Sequence, residues 1–290
     1  MRIATWNVNS LKARLDKVLW WLERARPDVL LMQETKLADS AAPAAEFRAA
    51  GYQLAHHGEG RWNGVAIASR VGIADVVSNL GEPLRVAMTP EAGDDEPLAE
   101  ARIIAATCGG VRVASLYAPN GRSVGSSFYM AKLAWYERLA GWLERAADPA
   151  DALVLGGDFN LAPEDKDVWD PGACHGGTHV SPAEREAFAR LCRWGLVDAY
   201  RLHHAEAGRY TWWDYRGGAF HRNFGMRIDH LLVTRSLADR TVGAEIDREA
   251  RKGKPIPSDH APLLIDIDQP GHPFDAGWDA AAARLSARVG

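Results

Sequence analysis

Long apolar runs, paired cysteines and an excess of basic charge are all missing from this chain of 290 residues. No stretch approaches the roughly 18 to 20 consecutive apolar residues of a membrane-spanning helix, so a membrane protein is not expected. The three cysteines, Cys108, Cys174 and Cys192, are far apart and form no CxxC pair. That spacing argues against a zinc site, and a sparse, odd set fits a reducing compartment. The chain enters a strand-like segment at Arg2–Trp6 without a signal-peptide pattern, and the protein therefore reads as cytoplasmic. The formal net charge is −4 and the pI near 6.2, opposite in sign to a protein that coats nucleic acid non-specifically. An enzyme gripping nucleic acid over one face remains open. Acidic metal ligands lower the total while arginines cluster locally, and Arg201, Arg209, Arg216, Arg222 and Arg227 stand among aromatic residues.

What is present is an ordinary globular composition, 47% hydrophobic and 25% charged, in a pattern alternating strand and helix. Ile3 to Asn7 turns from apolar to polar, as at a strand end. Leu11 to Arg26 carries Leu11, Leu15, Val18, Leu19 and Leu22 at helical spacing and is stopped by Pro27. Val29–Met32 is a buried strand ending at Gln33 and Glu34. Gly64–Ser69, Leu98–Thr107, Val111–Tyr117, Ile228–Val233 and Leu263–Ile267 also read as strands. Phe128–Ala147 and Pro182–Trp194 read as helices, the second with Ser181 as N-cap and proline in its first turn. Residues 79–97, rich in Gly, Pro and acid, read as exposed loop. The two halves resemble each other weakly, which predicts two similar layers packed face to face. Residues 269–290, with a short Ala-rich helix, read as a tail appended to the unit 1–268.

The segment Gly156–Asn160 is the most informative. It follows the apolar run Ala152–Leu155, and its two glycines predict a sharp turn at the strand end. Asp158 and Asn160, two positions apart, would point into one crevice at the sheet edge. Asp158 there could hold a metal or take a proton from water, and Asn160 could donate to an anionic oxygen. An Asx turn, in which both bond their own backbone, accounts for the same residues. Five further strand ends carry polar residues: Trp6–Asn9, Gln33–Thr35, Tyr117–Asn120, Arg227–His230 and Ser258–His260. Any one of these is explained by a turn or a surface loop; turns alone do not explain all six in this order.

The motifs WNVNSL, QETK, LYAPNG, GGDFN, RIDH and SDHAP, running from Met1 to about Asp268, resemble those of the exonuclease III family of DNA repair nucleases, within the endonuclease/exonuclease/phosphatase superfamily. The resemblance implies a four-layered α/β sandwich, two mixed β-sheets packed face to face with helices outside. It implies Glu34 as principal metal ligand, with Asn7, Asn9 and Asp259 completing or bordering the site and Asp158, Asn160 and His260 contributing to it. Hard oxygen ligands suit Mg²⁺, with Mn²⁺ as substitute. Asp158 would orient or deprotonate the attacking water, and Asn160 would hydrogen-bond the scissile phosphate or that nucleophile. His260, oriented by Asp229, and Tyr117 would contact the phosphate.

The substrate implied is double-stranded DNA with abasic sites, nicks or blocked 3′ ends, cut by a monomer acting as 3′→5′ exonuclease, 3′-phosphodiesterase and AP endonuclease. Trp212, Trp213 and Met226 would line a pocket for a flipped-out abasic sugar, though core packing also explains such aromatics. Arg61, Asn63, Asn120, Arg122 and Asn9 would grip the DNA backbone. His179 departs from strong AP endonucleases of the family, which have a small residue there. It resembles members specialised for 3′-end trimming, in which a bulky side chain obstructs continuous duplex; a surface-loop histidine without effect is the plainer alternative. Two rival readings are a metal-dependent phosphatase of the same superfamily and a non-catalytic DNA-binding relative.

Overall fold

The computed structural model describes residues 1–81, 101–254 and 256–272. The loop expected over 79–97 lies outside the described residues from 82 onward, as does the Ala-rich tail from 273. Fourteen strands are found among the described residues. In chain order they are β1 (Arg2–Asn7), β2 (Val29–Gln33), β3 (Gln53–His57), β4 (Val65–Ser69), β5 (Ala74–Ser78), β6 (Ile103–Cys108) and β7 (Val111–Tyr117). They continue with β8 (Leu153–Asp158), β9 (Leu196–Asp198), β10 (Trp212–Trp213), β11 (Gly225–Met226), β12 (Asp229–Thr234), β13 (Thr241–Ile246) and β14 (Leu263–Ile267).

Twelve of these build two six-stranded sheets, in the orders β13-β14-β1-β2-β4-β3 and β5-β6-β7-β8-β12-β9, and β10 and β11 form a separate hairpin. Each large sheet holds one parallel pair at its centre, β1 with β2 and β7 with β8, and is otherwise antiparallel. Read outward from that pair the two sheets correspond strand for strand, the physical form of the weak internal symmetry.

Strand periodicity explains the layering. From β1, Ile3 faces the opposing sheet, in a core shared with Val29, Leu31, Val154, Leu231 and Ile265. Ala4 and Trp6 face the other way, against Val18, Trp21 and Leu22 of helix α1 (Leu11–Ala25). The second sheet buries Leu116, Leu155 and Leu232 against Trp135, Tyr136, Leu139, Phe188 and Leu191. The latter five come from two long helices, Ser127–Ala146 and Pro182–Trp194. The result is helix, sheet, sheet, helix, as the resemblance implied.

Local signals set the helix ends. Ser10 caps α1, and Arg26 ends it in the left-handed region just before Pro27. The helix at Pro182 opens with a reciprocal capping box between Ser181 and Glu184. One expectation about the backbone fails. Gly156 and Gly157 lie inside β8 and do not form a turn. A β-carbon on Gly156 would stand 2.6 Å from Leu231 and 2.7 Å from Leu31, and one on Gly157 would strike the Leu116 carbonyl at 1.9 Å. The glycines bring the two sheets, and β8 and β7, together immediately below Asp158.

Candidate active site

The parallel pairs put four strand C-termini at one edge, and β12 and β14 run the other way, so the chain enters them at that same edge. Asn7 ends β1, Glu34 follows β2, Tyr117 ends β7 and Asp158 ends β8. Asp229 opens β12 directly opposite Asp158, and Asp259 and His260 precede β14. Asn7 lies on the inter-sheet face of β1, two residues beyond Thr5 and four beyond Ile3. Its amide nitrogen donates to Glu34 Oε1 at 2.8 Å and to Asp158 Oδ2 at 3.0 Å. Glu34, Asp158 and His260 each offer a ligand atom within 4.8 Å of one another. Asn9, Glu34, Asn160 and His179 hold φ of 43°, 51°, 50° and 78°, an accumulation of strained backbone around one crevice.

The Asx turn is real and coexists with the crevice. Asp158 Oδ1 accepts the Asn160 N–H at 2.8 Å, while Oδ2 faces Asn7 and His260. Asn160 is fully engaged, its amide nitrogen donating to the Ala118 carbonyl at 2.9 Å and its amide oxygen accepting from Asn120 at 3.1 Å. Burial pushes the Asp158 carboxyl up, and although His260 opposes this, it reaches about 7. His260 Nδ1 donates to Asp229 Oδ2 at 2.8 Å, and Nε2 lies 3.8 Å from Asp158 Oδ2. Burial alone would lower His260; Asp229 and Asp158 override it and raise the imidazole to about 10. Burial, reinforced by Glu34, pushes the Tyr117 phenol well above its ordinary range.

The SDHAP loop is pinned by the first sheet. Ser258 donates to the Asn7 carbonyl at 2.6 Å, and the Trp6 indole to the His260 carbonyl at 3.0 Å. Asp259 stands apart from the three-residue cluster: Asn9 donates to its Oδ1 at 2.9 Å and the Trp212 indole to its Oδ2 at 3.0 Å.

Beside the crevice lies a small apolar cluster of Ala162, Val168 and Ile228, against which Trp212, Met226, Cys174 and Val180 pack. Trp212 and Met226 are paired residues of the β10–β11 hairpin. Trp213, expected to line the same pocket, does not: it is fully buried in the inter-sheet core and its indole bonds Asn223. Neighbouring strand residues point to opposite faces, so only one of the two tryptophans can face this cluster. Ile228 takes part in the cluster without having been singled out; its place in RIDH, next to Asp229, was the available signal. Lys36, the lysine of QETK, was likewise overlooked. It pairs with Glu34 Oε2 at 2.9 Å and donates to Asn9 Oδ1 at 2.7 Å.

The arginine cluster is not one basic patch. Arg227 is fully buried between Asp167 and Asp198, and Arg201 pairs with Asp167. Both are structural; Arg209, Arg216 and Arg222 are exposed. Of the expected DNA contacts, Arg61 is exposed with its guanidinium 4.6 Å from the Trp62 ring centre, and Arg122 sits 3.7 Å from that of Phe128. Asn63 is buried, its amide nitrogen without a partner among the described residues. His179 is half-buried; its Nδ1 donates to the Asn160 carbonyl at 2.5 Å. Burial, then the Lys132 charge, lower the imidazole to about 4 and keep it neutral.

A sequence profile of the Endonuclease/Exonuclease/phosphatase family matches residues 4–260. Exodeoxyribonuclease III of Haemophilus influenzae is 33% identical over 283 residues, 92% of this chain and 100% of that protein. An AP endonuclease from Archaeoglobus fulgidus has a TM-score of 0.84 at 38% identity, over 93% of this chain and 100% of that one. A Neisseria enzyme, described as a 3′–5′ exonuclease and, bound to a product DNA hairpin, as a 3′ phosphatase, gives 0.83 at 39%, over 93% and 100%. The chain belongs to the endonuclease/exonuclease/phosphatase family, among its exonuclease III-type members, which are metal-dependent phosphodiesterases. No helix among the described residues is long and apolar enough to cross a membrane.

Proposed function

We propose that this protein is a Mg²⁺-dependent DNA repair nuclease that hydrolyses phosphodiesters in double-stranded DNA, with Mn²⁺ as substitute. One observation carries the reading: Glu34, Asp158 and His260 converge within 4.8 Å beside an apolar cluster in which Trp212 and Met226 pack against Ile228.

The donor set fits a hard divalent ion, since two carboxylates and neighbouring asparagine amides offer oxygen and no thiolate intrudes. Glu34 holds it as principal ligand, with Asn7 tying Glu34 to Asp158. Asp259, already satisfied by Asn9 and Trp212, borders the site and fixes the Trp212 ring. When bound, the ion supplies Lewis acidity and neutralises phosphate charge. The chain's own residues do the rest. Asp158 orients the attacking water and accepts its proton. Asn160 holds Asp158 through its backbone N–H, and its amide would turn to the same water or the scissile phosphate by exchanging its bonds to Ala118 and Asn120. His260, kept as imidazolium by Asp229, serves the phosphate as a cation and so contributes to anion binding more than to metal ligation. Tyr117 stays protonated and donates to the same phosphate. Such donors act on charge that grows in the transition state. Arg61, Asn63, Asn120, Arg122 and Asn9 grip the backbone without reading sequence. We place the catalytic unit at 1–268, acting as a monomer in the cytoplasm.

Within this activity we favour 3′→5′ exonuclease and 3′-phosphodiesterase action at least as much as AP endonuclease action. His179 supports this, because its ring is drawn to the Asn160 carbonyl at the crevice edge. The 3′ phosphatase description of the Neisseria relative favours a second reading, removal of a 3′-phosphate from DNA. Labelled duplexes carrying an internal abasic analogue, a nick with a blocked 3′ end, or a 3′-phosphate, each with and without Mg²⁺, test the assignment. EDTA-sensitive cleavage of the nicked duplex is expected. Cleavage of none of the three rejects the nuclease reading.

A further inference from the structure

We propose that the buried ion pair Lys132–Glu184 is a positioning device that holds the catalytic loop and two DNA-facing loops in one arrangement, an inference that rests on the nuclease reading above. Both side chains are fully buried. They come from the two helices that cover the second sheet, which already pack through Trp135, Tyr136, Leu139, Phe188 and Leu191. The layer therefore needs no charge for cohesion, and a buried ion pair adds little stability over apolar residues of the same shape.

What the pair does contact is the edge of the crevice. Lys132 Nζ donates to Glu184, to the Asn160 carbonyl at 2.5 Å and to the Asn120 carbonyl at 3.2 Å. Glu184 Oε1 accepts from the His179 N–H at 2.9 Å and the Thr178 hydroxyl at 3.0 Å. Its Oε2 accepts from the Ser181 N–H at 3.1 Å and hydroxyl at 2.6 Å. His179 Nδ1 closes the circuit on the Asn160 carbonyl. The stem of Lys132 lies so close that a β-carbon on Gly121 would stand 2.9 Å from its Cδ. Asn160, His179 and Arg122 all hold positive φ, at 50°, 78° and 52°, and the pair anchors the loops that carry them. Lys132 and Glu184 touch no substrate in this account; they act through Asn160, Asn120 and His179.

The test is the double variant Lys132→Met with Glu184→Gln, which removes both charges and keeps one of the two acceptor oxygens for the 178–181 loop. Its melting temperature is expected to stay within about 4 °C of the parent. On the nicked, 3′-blocked duplex kcat falls about 10²-fold, the scale of a small misplacement, while KM moves less than about threefold. Hydrogen exchange in residues 118–122 and 176–181 quickens about tenfold or more. A parent that cleaves no DNA rejects the nuclease reading. An active parent whose folded variant keeps kcat within about twofold and unchanged exchange overturns this inference. If the double variant does not fold, Thr178→Val decides, since it removes the hydroxyl's two contacts, to Glu184 and to the Asn120 carbonyl, and leaves the pair intact. A fall in kcat of about threefold or more at unchanged melting temperature supports the proposal, and an unchanged kcat overturns it.

Discussion

Asp229 accepts the Nδ1 proton of His260 at 2.8 Å, with both side chains buried. The carboxylate fixes the ring and, with Asp158, outweighs the burial that would otherwise discharge it. Asp229→Asn is expected to lower kcat on DNA by about 10²-fold or more. In the metal-free protein, NMR titration should find His260 charged beyond about pH 8 in the parent and titrating markedly lower in the variant. An unchanged His260 titration contradicts the pairing.

Asn7 holds Glu34 and Asp158 from a single amide nitrogen. Asn7→Ala leaves two carboxylates facing each other without their shared donor. Mg²⁺ affinity, measured by calorimetry, should weaken about 10- to 100-fold, as when a supporting partner of a metal ligand is removed. Undiminished affinity would remove Asn7 from the site's framework.

His179→Gly tests the steric account of substrate choice. Incision at an internal abasic analogue should rise about tenfold or more, with 3′-end trimming changed less than about threefold. If internal incision does not rise, the imidazole is not the obstruction.

His230 offers a pH test away from the metal ligands. Its Nε2 donates to the Leu161 carbonyl at 3.0 Å, and Nδ1 accepts from Arg227 at 2.9 Å. Burial, then the Arg227 charge, lower it to about 4. Below about pH 6.5 the unfolded chain binds a proton that the folded one refuses, so this group's contribution to stability is lost as pH falls from about 6.5 to about 4. Asp158, raised to about 7, works with the opposite sign over much of that range. His230→Gln keeps an acceptor and a donor without titrating, and Asp158 is common to both proteins. From about pH 7 to about 4.5 the parent should lose roughly 2 kcal/mol more than the variant in denaturant unfolding. Equal losses would contradict a neutral buried His230.

The central strands and long helices were legible because their signals are local. Val111–Tyr117 and Leu263–Ile267 are largely apolar runs, and Ser181-Pro182 starts its helix as written. The strands Gln53–His57 and Ala74–Ser78 were missed because they are sheet edges: the first is only partly buried, the second wholly exposed. Neither carries an apolar run. The crevice residues were legible as motifs, but their partition was not. Only side-chain direction separates Trp212 from Trp213, and Asp229 from the structural His230. The Lys132–Glu184 pair was not legible, since nothing in a helix sequence marks a lysine as buried.

The most direct test of the central claim is single-turnover cleavage of the nicked, 3′-blocked duplex by the parent and by Asp158→Asn at saturating Mg²⁺. The account predicts cleavage by the parent that EDTA abolishes and that the variant lowers by at least about 10²-fold. EDTA-resistant cleavage, or equal rates in the two proteins, would contradict it.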